Sequence, residues 1–166
     1  MENILELDKQ RYSGGGGFLQ FYRKAQMSKN PFLHKIYKKL FEISTKKKGI
    51  EFSVDNEIGY GFYVGHPYGI TINAKAIIGN NVNIHKGVTI GQENRGKRKG
   101  TPCIGNNVWI GVNATIVGNV VIGNDVLIAP NTYINCDIPD HSIVFGNPCI
   151  VKHADDATKD YINHAV

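Results

Sequence analysis

The chain has 166 residues, 42% of them hydrophobic and 20% charged, with a formal net charge of +5 at pH 7. This length holds one domain, or one domain with a small appendage, and the composition excludes both a disordered tail and a chain too polar to bury a core. No apolar run approaches the roughly 20 residues that cross a bilayer, and Met1-Glu2-Asn3-Ile4-Leu5-Glu6 lacks the basic head and apolar stretch of a secretory signal, so the cytoplasm is the expected compartment.

Residues 1–48 read as a helical region. Apolar residues recur at three- and four-residue spacings over 18–28 (Phe18, Phe21, Tyr22, Ala25) and 32–44 (Leu33, Ile36, Tyr37, Leu40, Phe41), which predicts two amphipathic helices behind a flexible joint at Gly14 to Gly17. Lys35, Lys38, Lys39, Lys46, Lys47 and Lys48 concentrate positive charge here. A solvated helix face is the first reading of that charge and a peripheral contact with anionic lipid the second, with no nucleic-acid partner expected.

From about residue 49 a period of six takes over. Ile104, Ile110, Ile116, Ile122, Ile128 and Ile134 follow one another at intervals of six, and Ile72, Ile78, Ile84 and Ile90 run the same way earlier. A small or aliphatic residue stands two places ahead of several of them (Val82, Val88, Val108, Ala114, Val120, Val126), and Gly follows at Gly79, Gly91, Gly105, Gly111 and Gly123. Neither a 3.6-residue helix nor strand alternation has this period; a parallel β-helix of hexapeptide repeats does. Each hexad is one short strand and a turn, three make a triangular coil, and inward isoleucines stack from coil to coil. The fold class is therefore mainly β, with roughly five coils over residues 49–152. Residues 153–166 form a tail whose 155–165 segment is expected to be a short helix capping the end. Cys103, Cys136 and Cys149 have neither disulfide-framework nor zinc-ligand spacing, so no metal is expected.

The period breaks twice. Ile58, Val64 and Ile70 keep one register and Ile72 begins another, so the phase slips by two residues across Gly65-His66-Pro67-Tyr68-Gly69, with a histidine on the slip. Ile104 follows Ile90 at an interval of fourteen residues where twelve would keep register, and Gly91 to Cys103 holds Arg95, Lys97, Arg98 and Lys99 in a polar, basic excursion.

The hexads, the tracts Gly61-Phe62-Tyr63-Val64-Gly65-His66-Pro67-Tyr68-Gly69-Ile70-Thr71-Ile72 and Asn81-Val82-Asn83-Ile84-His85-Lys86-Gly87-Val88-Thr89-Ile90-Gly91, and the ending Ile138-Pro139-Asp140-His141-Ser142-Ile143-Val144-Phe145-Gly146-Asn147-Pro148 together resemble the serine acetyltransferase branch of the hexapeptide-repeat acyltransferases. The resemblance covers about residues 50–152. It implies a left-handed β-helix, a homotrimer with active sites between subunits, and acetyl transfer from acetyl-CoA to a hydroxyl. By the resemblance His66 is the general base and Glu51, fifteen residues earlier where the family typically has Asp, orients it. The chemistry asks for such a pair independently: an alcohol attacks a thioester poorly until its proton is removed, and a carboxylate on the second ring nitrogen fixes the imidazole tautomer. Gly65, Tyr68 and His85 are the expected acceptor-binding residues, with His85 roughly one coil beyond His66. CoA is expected along Gly91, Gly111, Ala114 and Ala129, with Arg95, Lys97 and Lys152 near its phosphates.

The chain departs from the family where the amino acid is handled. Gly65 stands where Asp usually precedes the catalytic His, and Gly100-Thr101 stands where an Arg-His pair is usual. The ending reads Gly146-Asn147-Pro148-Cys149-Ile150 with Lys152 two positions late, and the helical region is short, a layout that resembles O-acetyltransferases of surface polysaccharide assembly. The expected acceptor is therefore a sugar of a surface polysaccharide or its precursor, and L-serine is the rival. A rival of another class is a non-catalytic or metal-bearing β-helix related to γ-class carbonic anhydrases, which would need three converging histidines.

Overall fold

The inward isoleucines build the molecule. Ile78, Ile84, Ile90, Ile104, Ile110, Ile116, Ile122 and Ile128 are all fully buried in one core, stacked in three files, one for each face, as the period of six requires. A computed structural model describes residues 2–11 and 17–166 as a left-handed parallel β-helix preceded by three helices. The first face carries strands 57–58, 77–78, 103–104 and 121–122. The second carries 63–65, 83–85, 108–110, 126–128 and 142–145, and the third 71–72, 89–91, 115–117 and 133–134.

Corners recur where the chain turns from first face to second. Asn81, Asn107, Asp125 and His141 have φ of 54°, 53°, 52° and 55°, a left-handed conformation that Asn and Asp tolerate best among side-chain-bearing residues. Beside them a ladder of side chains climbs the prism: Asn106 accepts from the N–H of Asn80, Asn124 from that of Asn106, and Asp140 from that of Asn124. The repeated Gly-Asn pairs are thus accounted for by corner geometry and stacking.

Both breaks appear in the pairing. Val64 pairs with Ile84 while Ile72 pairs with Ile90, so the two extra residues lie between them, in the corner that holds His66. The excursion is larger than the sequence reading allows. Ile104 lies on the face that immediately follows that of Ile90, pairing with Ile78. Fourteen residues therefore stand where six complete a face, an insertion of eight; twelve happened to be a multiple of the period, which concealed it.

The helices are α1 (Glu2–Arg11), α2 (Gly17–Met27) and α3 (Pro31–Lys46). Only the last two were expected, since α1 has too few apolar residues for periodicity to register. Of the expected joint, only Gly17 lies within the described residues, and it begins α2. These helices close the open end of the prism, where no further coil exists to satisfy the backbone. The fully buried Arg23 donates to the carbonyls of Ile58 and Gly59 and to the Asp8 carboxylate at 2.7 Å, Asp8 accepts from the Gly61 N–H at 2.7 Å, and Arg11 donates to the Gly61 carbonyl at 3.0 Å.

The C-terminal helix is a correction. Residues 150–153 form a strand antiparallel to 142–145, and 155–164 are successive turns. Asp125 takes the N–H groups of Ala157 and Thr158 at 2.9 Å each, and Asp156, Asp160 and His164 have positive φ, which no helix accommodates. The tail instead runs back over the second face, where the carbonyl of Tyr161 accepts from Asn83, to end at Val166, whose N–H donates to Asn81.

Candidate active site

His66 is the exposed residue immediately after the first strand of the second face. Its φ of 51° matches that of the Asn corners, so the conformation comes with the turn. Its carbonyl accepts from the Tyr68 N–H at 2.8 Å, and the Gly69 N–H donates to the carbonyl of Lys48 at 2.8 Å, fixing the enlarged corner to the segment that enters the prism. Glu51 lies across that corner on the third face. Its N–H donates to the Ile70 carbonyl at 2.7 Å and its carbonyl accepts from Ile72 at 2.8 Å, in a bridge to Thr71. Its side chain is exposed, and among the described residues no hydrogen bond or ion pair joins it to His66. The structure places Glu51 and His66 on the two sides of one corner.

His85 sits one rung beyond, paired with Gly65. Its Nδ1 lies 2.9 Å from the Ile110 carbonyl and its ring packs on Trp109 with centroids 4.7 Å apart. Burial lowers its pKa from the usual imidazole value; the Ile110 hydrogen bond opposes this and the charge of His66 reinforces it. Beside it a cleft of about 360 Å³ is lined by Tyr63, Asn83, His85, Trp109, Tyr161 and Arg11. Tyr68, by contrast, is 59% exposed and is not among the cleft's lining residues. Sequence reading missed Trp109, Asn83 and Tyr161 as site residues. Asn83 and His85 flank an inward isoleucine and so must point outward, which was a usable signal; nothing in the sequence brings Tyr161 there.

The excursion folds back on the prism. Glu93 and Gly100 exchange N–H···O bonds of 3.0 Å, the Glu93 carboxylate accepts from the N–H groups of Asn94 and Arg95, and the carbonyl of Arg98 accepts from Asn119 at 2.8 Å. Arg95, Lys97 and Lys99 remain exposed. Gly111 and Ala129 are stacked at one corner, so closely that a Cβ at Gly111 would approach the Pro130 nitrogen to 2.6 Å. Gly91 is on the third face, and Lys152 lies 5.6 Å from the Phe145 ring centroid on the antiparallel edge strand. Ala114 is corrected outright: it is fully buried in the column with its N–H bonded to Gly111 and its carbonyl to Thr89, so it offers a ligand nothing. His141 bonds Asp125 on the far coils, and among the described residues no three His, Cys, Asp or Glu side chains converge as a metal site.

An outward pair of histidines on adjacent coils, next to an enlarged corner and followed by a basic excursion, can be set beside known proteins. The bacterial transferase hexapeptide (six repeats) family matches residues 104–136. The serine acetyltransferase of Helicobacter pylori is 32% identical over 126 residues, covering 76% of this chain and 74% of that protein. The chain belongs to the serine acetyltransferase family of hexapeptide-repeat acyltransferases. Serine acetyltransferase 2 of Arabidopsis thaliana is also 32% identical, over 88% of this chain but 49% of its own length, so the chain spans about half of that relative. Among solved structures, the Neisseria gonorrhoeae serine acetyltransferase in complex with serine is 25% identical with a TM-score of 0.71, covering 91% of this chain and 68% of that one. A serine acetyltransferase of Entamoeba histolytica, solved with cysteine, is 26% identical with a TM-score of 0.68, over 92% and 59% of the two chains.

Proposed function

We propose that the protein is an acetyl-CoA-dependent O-acetyltransferase whose acceptor is L-serine, acting as a homotrimer with its active sites between subunits. The observation that carries this reading is the Helicobacter pylori relative, which this chain matches over 74% of its length, together with His66 exposed on the enlarged corner. The surface-polysaccharide sugar expected from the sequence finds no support among these relatives, whose names carry serine, and none of them supports a membrane contact through the basic helices.

In this reading His66 takes the proton of the acceptor hydroxyl as its oxygen bonds to the acetyl carbon. The carbon–sulfur bond then breaks and the imidazolium returns the proton to the CoA sulfur. Glu51 orients the imidazole from across the corner. Arg95, Lys97 and Lys99 suit a pyrophosphate and a 3′-phosphate, since all three project from a folded loop with their charges in solvent. Thiol release from acetyl-CoA with L-serine, beside a panel of hexoses and amino sugars, is the test. Turnover of serine at millimolar concentration is expected; turnover of a sugar with none of serine would overturn the acceptor, and turnover of neither would overturn the activity.

A further inference from the structure

The second imidazole of the site has a single defined tautomer. A carbonyl oxygen only accepts, so the 2.9 Å contact between Nδ1 of His85 and the Ile110 carbonyl places the proton on Nδ1 and leaves Nε2 with its lone pair. Nε2 has no hydrogen-bond partner among the described residues, and it is not among the sealed, unsatisfied atoms either, so it opens to solvent at the cleft. Trp109 on the next coil packs against the ring at a tilt of 49°.

Gly65 makes this placement possible. A Cβ there would stand 2.7 Å from Cδ2 and 2.8 Å from Nε2 of His85, contacts that real Cβ atoms do not make. The backbone φ of Gly65 is not left-handed, so the turn does not call for a glycine, whereas a side chain at 65 and the His85 ring in its observed place exclude each other. The space beside the residue immediately before His66 is thus filled by a hydrogen-bond acceptor from the neighbouring coil.

We infer that His85 is the residue that holds the acceptor, its Nε2 accepting a hydrogen bond from an amine or second hydroxyl on the carbon next to the one that bears the reacting hydroxyl. This rests on the O-acetyltransferase reading and deepens it: the acceptor class is a vicinal amino alcohol or diol, recognised by a neutral nitrogen and not by a carboxylate. His66 and His85 then divide the work, one taking the proton of the reacting hydroxyl and the other positioning its neighbour.

The test compares L-serine with 3-hydroxypropanoate, which keeps the hydroxyl and lacks the amine. Wild type is expected to favour serine in kcat/KM by roughly tenfold, the order of one hydrogen bond. His85→Ala should raise the KM for serine by a similar factor, leave the KM for acetyl-CoA unchanged and abolish the preference. His85→Gln, whose side-chain oxygen reaches toward the place of Nε2, should restore part of it. Gly65→Ala should reproduce the loss in wild type and add nothing in the His85→Ala background, since only the ring is displaced. A His85→Ala enzyme with unchanged melting temperature and unchanged preference would overturn the inference, as would equal losses for both acceptors with no rescue by Gln, which is the pattern of a packing role. A wild type that acetylates neither acceptor would overturn the parent reading and this inference with it, whereas turnover with an indifferent His85 overturns this inference alone.

Discussion

His66 is exposed because it occupies a corner, and the same position makes it separable from stability. Its side chain packs against none of the inward column, so His66→Ala should lower kcat by roughly 10² to 10⁴, the range for a positioned general base, with little change in melting temperature. Glu51→Gln acts through His66 and should cost less; a larger loss than that of His66→Ala in steady-state assays would reverse the two roles. The inward residues behave oppositely. Ile110 is fully buried between Ile84 and Ile128, and Ile110→Ala removes most of a side chain from a column that cannot collapse without shifting two coils. About 2–5 kcal/mol of unfolding free energy should be lost, measured by denaturant titration.

Two elements are tied down by an acidic residue each. The backbone of Glu93 closes the excursion against Gly100, and its carboxylate accepts from the N–H groups of Asn94 and Arg95, which holds Arg95, Lys97 and Lys99 on a defined loop. Replacing those three cations by Gln should raise the KM for acetyl-CoA and flatten its dependence on ionic strength, with the KM for the acceptor unaffected; an unchanged KM would leave the loop without a part in binding. Asp125 fastens the tail. Burial alone would raise its pKa, but the hydroxyl and N–H of Thr158, His141 and the N–H of Ala157 outweigh that and lower it. His141, hydrogen-bonded to Asp125, is raised above the ordinary imidazole value. The signs define a window. The contribution of His141 is present below about pH 6.5 and lost as pH rises through its raised pKa, and that of Asp125 is present above about pH 4 and lost as pH falls through its lowered pKa. Amide exchange at Ala157 and Thr158, corrected for intrinsic rates, should therefore be slowest between those values. Asp125→Ala should accelerate it at every pH, and His141→Ala should remove the upper limb.

At the scale of the whole molecule, α3 leaves Phe32, Leu33, Ile36, Leu40 and Ile43 between 37% and 71% exposed along one side. An apolar stripe of this extent is unusual on a monomer, and the flat faces of a triangular prism suit cyclic association. Sedimentation at micromolar concentration should give a trimer. A monomer would remove the inter-subunit site and leave the cleft beneath the tail as the place of reaction.

The repeat was legible because each hexad is local: an inward isoleucine and a corner residue are required in every coil whatever the rest of the chain does, so the period survives in the sequence. The phase slip at His66 was visible for the same reason. The excursion's true length was not, because counting isoleucines cannot tell which face the next one occupies, and only the pairing of Ile78 with Ile104 decides it. α1 and the tail were illegible on other grounds. Neither has a periodic core face; each is held by side chains meeting backbone groups far away, Asp8 and Arg11 on Gly61, Asp125 on Ala157 and Thr158, Asn83 on Tyr161. The sequence alone therefore determined the prism and the histidine on its corner. The tertiary structure decided what surrounds that histidine, because the contacts between Gly65, His85, Ile110 and Trp109 join residues that only the rise of the coils brings together.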